Sequence, residues 1–284
     1  ALVRLRLAFL GSPAAAVPFL DALVAGGHDV ALVVTQPDRR RGRGGALLPT
    51  PVKVAAERLG LPVSPRVDDV LDAGAQLGVV VAFGKLIKPD VLVALPMVNV
   101  HFSLLPRWRG AAPVERAILA GDDETGVCLM GLEEGLDTGP VYRREATPIG
   151  REETADELRH RLVELGTAML VSALREGLGQ PVPQEGEPTY AAKLGNDALC
   201  LDWSEPAEVL ERQVRVGRAW TTFKGRRLKV LRACAHEVTG EGLSLPTGTS
   251  DLELLQVQPE GRGPMPARDW ARGVRWQEGD RLGS

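Results

Sequence analysis

Cysteine is scarce in this chain, with Cys128, Cys200 and Cys234 the three it has. Their scatter gives neither a metal-ligand spacing nor a disulfide framework, and it fits a reducing compartment. No segment is apolar over the roughly 20 residues that a membrane-spanning helix needs. The first residues, Ala1 to Arg6, alternate apolar and charged side chains, unlike the long apolar stretch of a secretory leader. These absences predict a cytoplasmic protein with no membrane partner. The four histidines, His28, His101, His160 and His236, are too dispersed to suggest a metal centre, so no metal is expected. A net charge of −3 excludes a globally basic nucleic-acid binder, and any basic footprint must be local. Three motifs are also missing. Gly11-Ser12-Pro13 follows the first apolar stretch where a dinucleotide fold would carry G-x-G-x-x-G. There is no G-x-x-x-x-G-K-[ST] phosphate loop and no G-x-S-x-G nucleophile elbow. No internal repeat of solenoid period is visible.

What is present reads as an α/β protein. Apolar residues make up 44% and charged residues 25% of 284 positions, which are ordinary values for a globular chain, and the length suggests two domains. The first half alternates strand and helix signals. Strands are predicted over 3–10, 28–35, 78–83, 98–101, 126–130 and 141–146. Helices are predicted over 14–25, 51–59, 113–120 and 154–174. Residues 36–50, rich in Arg, Gly and Pro, read as a long loop. This order predicts a Rossmann-like open parallel sheet with helices on both faces. Around Gly177 the pattern changes. Pro181, Pro183 and Pro188 mark a linker, and beyond a helix near 206–214 come short strands broken by glycine. These predict a small antiparallel β domain, a barrel of OB-like kind. The expected divisions are 1–177, a linker over 178–204, and 205–284.

Ligands of an open parallel sheet bind beyond the carboxyl ends of its strands. Asn99 and His101 lie there and, two apart on a strand, project to the same side. An amide and an imidazole at that spacing can together stabilise an oxyanion during acyl transfer. Position alone fits equally well a polar strand end that satisfies nearby backbone. Gly135-Leu136-Asp137-Thr138-Gly139 is the second candidate. Glycine lets backbone approach a ligand closely, and Asp137 near His101 would orient the ring. By itself, a glycine-flanked aspartate more often bonds its own backbone in a turn.

Asn99-Val100-His101-Phe102-Ser103-Leu104-Leu105-Pro106, then Arg109-Gly110-Ala111-Ala112-Pro113, then Gly135 to Gly139 together resemble the signature of the folate-dependent formyltransferases. Thr35-Gln36-Pro37-Asp38-Arg39, Leu48-Pro49-Thr50-Pro51-Val52-Lys53, Thr189-Tyr190-Ala191 and Leu201-Asp202-Trp203 resemble the members of that family that act on methionyl-tRNA. The resemblance runs almost the full length. Phe102 stands where the family has glycine, and the stretch from Pro62 to Gly78 is shorter than usual.

The resemblance implies an enzyme that moves the formyl group of 10-formyltetrahydrofolate to the amino group of initiator methionyl-tRNA. It implies Asn99, His101 and Asp137 as the catalytic group. It places folate along Ser103, Leu104, Leu105 and Pro106 and against Val81, Phe83 and Gly84. For tRNA it points to the arginine cluster Arg39, Arg40, Arg41 and Arg43, which on charge alone would be a solvated basic loop. In the second domain it points to Arg215 and Arg227. The stretch 206–232 is locally basic, with Glu208 and Glu211 as its only acids, as a phosphate-tracking face requires. A monomer is expected. Two other readings stay open on the sequence: an N-formyltransferase acting on a sugar nucleotide or another small amine, and a non-catalytic RNA-binding protein in which Phe102 blocks folate.

Overall fold

The computed structural model describes residues 4–41, 45–236 and 239–283, with the backbone alone of Arg41. The chain forms two compact units. One comprises Ala1–Val114, Glu124–Pro148 and Arg159–Ala192; the other comprises Glu115–Asp123, Ile149–Leu158 and Lys193–Ser284.

The elements of the first half are β1 (Arg6–Gly11), α1 (Val17–Ala25), β2 (Asp29–Val34), β3 (Arg39–Arg41), β4 (Ala46–Leu48), α2 (Pro51–Arg58), β5 (Val63–Ser64), β6 (Leu77–Val81), α3 (Pro89–Ala94), β7 (Met97–His101), β8 (Arg109–Gly110), α4 (Pro113–Ala120), β9 (Glu124–Gly131), β10 (Val141–Pro148), α5 (Ala155–Glu176) and β11 (Tyr190–Ala191). Seven of these strands form one sheet in the order β10-β9-β7-β6-β1-β2-β5. The five from β7 to β5 pair in parallel. Their apolar runs, such as Leu7 to Leu10 and Val79 to Val81, are buried throughout, as expected of strands covered on both faces.

The sheet is mostly parallel, as expected, and turns antiparallel at one edge. There β9 runs antiparallel to β7, and β10 antiparallel to β9. The β9–β10 connection, which carries Gly135 to Gly139, contains no helix, and a loop without a crossover helix returns the chain antiparallel. One face of the sheet packs Leu10, Val34, Val80, Val91 and Met97 into a core. On the other side Phe19 of α1 packs against Phe102, with ring centroids 6.3 Å apart.

One stretch differs from its predicted form. Residues 36–50 are not loop throughout: Arg39 pairs with Leu48 and Arg40 with Leu47 in the β3–β4 hairpin. Arg43 lies outside the described residues. The proline-rich stretch after α5 is extended, as prolines require, but it is stitched to the sheet unit. Val182 and Val141 exchange backbone hydrogen bonds of 2.8 Å each way, and β11 pairs in parallel with β8.

In the second unit follow α6 (Ala207–Val216), β12 (Trp220–Phe223), β13 (Arg226–Cys234), β14 (Leu243–Pro246), β15 (Asp251–Pro259), β16 (Met265–Pro266) and α7 (Ala267–Gly273). The strands make an antiparallel sheet in the order β12-β13-β15, with β14 and β16 both on the far side of β15. Ala207, Leu210 and Val214 recur at helical spacing on α6 and are buried; this apolar stripe joins Leu228, Val230, Leu252, Leu254 and Trp270 in one core. The turn of α5 that belongs to this unit opens with a capping box. Glu157 accepts from the Thr154 amide at 2.9 Å while Thr154 Oγ1 accepts from the Glu157 amide at 3.3 Å.

Candidate active site

Strand alternation carries Asn99 and His101 to one face of β7, and both are buried, at 9% and 6% exposure. Nε2 of His101 lies 2.8 Å from the carbonyl oxygen of Trp108. A carbonyl only accepts, so Nε2 carries the proton and Nδ1 is left as the working nitrogen. Trp108 reaches this position through a left-handed backbone, φ 61°. Its own amide donates to Thr189 Oγ1 at 2.9 Å.

Nδ1 of His101 faces Asp137, whose Oδ2 is 3.7 Å away. That is an ion-pair distance, too long for a direct hydrogen bond. The carboxylate instead accepts the amide N–H of Gly110 at 2.7 Å. This long-range bond replaces the local turn that a glycine-flanked aspartate usually makes. Asp137 itself is left-handed, φ 51°. Gly110 is glycine for two reasons: its φ is 114°, and a Cβ there would stand 3.0 Å from the Ala191 carbonyl. Gly139 permits a close approach, but to the protein itself. A Cβ there would fall 1.8 Å from the Gly131 carbonyl oxygen, so this glycine closes the loop onto β9 and does not make room for a ligand.

The residues that the resemblance implies for folate divide by burial. The side chains of Val81, Phe83, Ser103 and Leu105 face the interior. Ser103 Oγ donates to the Arg107 carbonyl at 2.6 Å, and Phe83 belongs to the core beside Val80. Such residues can offer a ligand only their main chain. The main chain is accessible at Ala82 and Gly84, which are exposed and have φ of 48° and 72°. A Cβ on Gly84 would meet open space. Leu104 and Pro106 are half-buried. Gln36 Nε2 donates to the Phe83 carbonyl at 3.2 Å and so steadies this loop. Phe102, buried against Phe19, turns its ring into the core and does not crowd the strand end.

The arginines also divide. Arg39 and Arg40 are exposed on the hairpin. Arg227 is exposed on β13, its guanidinium 4.2 Å from the centroid of the Trp220 ring. Arg215 is not a free surface cation. Its Nε donates to the Glu153 carbonyl and its Nη2 to the Gly150 carbonyl, each at 2.9 Å, and burial draws its pKa below the usual arginine range. A count of charges along the sequence could not separate it from Arg227. The sequence also gave no role to Trp108 or Gln184; what each contributes comes from main-chain geometry and pairing between distant segments.

Two family models cover most of the chain: formyl transferase over residues 5–174, and formyl transferase, C-terminal domain, over residues 193–275. The chain belongs to the formyltransferase family. Relatives within it include the methionyl-tRNA formyltransferase of Cereibacter sphaeroides (strain ATCC 17025 / ATH 2.4.3), 44% identical over 97% of this chain and 98% of its own. That of Dinoroseobacter shibae is 45% identical over 95% and 98%. Among solved structures, HypX from Aquifex aeolicus in complex with tetrahydrofolic acid has a TM-score of 0.66 at 15% identity; the match covers 95% of this chain and 47% of that one. The N-formyltransferase from Helicobacter canadensis has a TM-score of 0.69 at 15% identity, over 90% of this chain and 99% of its own. At that identity the two structures show a shared fold. The α/β sheet unit and the antiparallel sheet unit are thus a formyltransferase architecture.

Proposed function

We propose that this formyltransferase moves the formyl group of 10-formyltetrahydrofolate to the α-amino group of initiator methionyl-tRNA. The observation that supports the chemistry is the approach of Asp137 Oδ2 to within 3.7 Å of His101 Nδ1 at the carboxyl end of β7, where Asn99 is buried two residues earlier on the same strand. The choice of acceptor rests on the near-full-length relatives named methionyl-tRNA formyltransferase and on the exposed Arg39, Arg40 and Arg227.

The donor supplies a formyl carbon bound to N10. Attack by the neutral amine forms a new C–N bond and places negative charge on the formyl oxygen. The Asn99 amide donates one hydrogen bond to that oxygen. His101 donates a second from Nδ1–H, with Nε2–H fixed on the Trp108 carbonyl. Asp137 faces Nδ1 across 3.7 Å. Such donors act because they are already aimed where charge develops. The amine then gives up a proton, N10 gains one, and the C–N10 bond breaks; Asp137 carries that proton through a water molecule. The folate lies along the accessible main chain of Ala82 and Gly84 and beside Leu104 and Pro106.

The test is a formyl-transfer assay with 10-formyltetrahydrofolate, offering charged initiator tRNA and, separately, a nucleotide-linked amino sugar. Transfer to the tRNA is expected. Transfer to the sugar alone would reassign the acceptor, and transfer to neither, with folate unbound, would remove the catalytic reading.

A further inference from the structure

We propose that Gln184 is a positioning residue for Asp137; this rests on the catalytic reading of Asp137 above. Gln184 lies in the proline-rich segment that follows α5, remote in sequence from the residues it joins. Its amide is half-buried and fully engaged. Nε2 donates to two main-chain carbonyls, Asp137 and Gly139, each at 2.8 Å. Oε1 accepts from Arg109, at 3.1 Å from Nε and 2.7 Å from Nη2. Carbonyls only accept and a guanidinium only donates, so the orientation of the amide is not ambiguous.

Three features make this a clamp on the catalytic carboxylate. Asp137 holds a left-handed conformation, φ 51°, which an L-residue keeps only when its surroundings fix it. Gln184 fixes the carbonyl of that residue and the carbonyl two positions on. The residue after Arg109 is Gly110, whose amide holds the Asp137 carboxylate at 2.7 Å. One side chain thus joins the main chain of Asp137 to the segment that grips its carboxylate. The segment carrying Gln184 is itself pinned on both sides, at Val182 to Val141 and at the Thr189 carbonyl, which accepts from the Arg109 amide at 2.8 Å.

The clamp is keyed to an amide. Gln184→Glu would keep an acceptor for Arg109 but turn a carboxylate oxygen onto two carbonyls, driving the loop away while holding the other half of the link. The prediction is a split: kcat falls by about 10-fold or more, KM for both substrates stays near the parent value, and the thermal midpoint moves little. A role in packing alone would lower the midpoint and leave kcat per folded molecule intact. The cycle with Asp137→Asn decides it. If Gln184 acts through the carboxylate, adding Gln184→Glu to Asp137→Asn costs little more. Full additivity, or a normal kcat in folded Gln184→Glu, overturns the inference. If Gln184→Glu fails to fold, Arg109→Lys tests the same link: Lys lacks the fork that grips Oε1, so kcat should fall in the same sense, and a normal kcat overturns the inference. Should Asp137→Asn itself turn over normally, the catalytic reading fails, whatever Gln184 does.

Discussion

Oδ2 of Asp137 lies 3.7 Å from Nδ1 of His101, while the Gly110 amide, at 2.7 Å, supplies its hydrogen bond. The carboxylate is therefore positioned by backbone and acts on the ring through charge. Asp137→Asn retains an oxygen for the Gly110 amide and loses the charge. Turnover is expected to fall about 10²- to 10³-fold with little change in the thermal midpoint. Single-turnover kinetics alongside thermal unfolding check both parts, and a near-parental rate in folded protein contradicts the assignment.

The basic residues should fall into two classes. Arg39→Ala, Arg40→Ala and Arg227→Ala remove exposed cations. Each should weaken tRNA binding and reduce the slope of log affinity against log salt by about 1. Arg215→Ala removes the donors to Glu153 and Gly150. It should cost about 1–3 kcal/mol of stability and leave the salt slope unchanged. Equal salt effects from Arg215 and Arg227 would contradict the division.

Phe102 is a core residue in this chain. Phe102→Ala removes a ring packed on Phe19 and should destabilise the fold by roughly 3–5 kcal/mol. KM for the folate substrate should hold in whatever protein remains folded. Tighter folate binding in the variant would show that the ring had obstructed the site.

Glu253 gives a pH dependence. It is fully buried on β15, a desolvation that raises its pKa, yet hydrogen bonds from the Gly242 amide at 2.7 Å and the Thr239 amide at 2.6 Å more than offset this and leave the pKa lowered. A carboxylate depressed in the folded state contributes stability that is complete above its unfolded value. That stability is lost as pH falls through the folded value. Thermal midpoints should decline as pH drops below the ordinary glutamate range, and less steeply in Glu253→Gln, which should be less stable at neutral pH. Identical acid profiles for the two would contradict this.

Much of this was legible in the sequence because it follows from local pattern. Uninterrupted apolar runs such as Leu7 to Leu10 marked the doubly covered strands, and alternation alone put Asn99 and His101 on one side of β7. The hairpin pairing Arg39 with Leu48 was not legible, because glycine and proline are common to loops and turns alike. The antiparallel edge was hidden for a similar reason, since strand direction depends on whether a connection crosses the sheet. In the stretch after α5, prolines do not say what an extended chain will pair with. Arg215 illustrates the limit for charge: sequence counts cations and cannot tell one that solvates phosphate from one that caps carbonyls.

The most direct test of the central claim is single-turnover formyl transfer to charged initiator tRNA by His101→Ala and Asn99→Ala, each confirmed folded and saturated with both substrates. Each is expected to slow the chemical step by about 10²- to 10³-fold without loss of binding. A parental rate in either variant would contradict the claim that the amide and imidazole at the end of β7 perform the transfer.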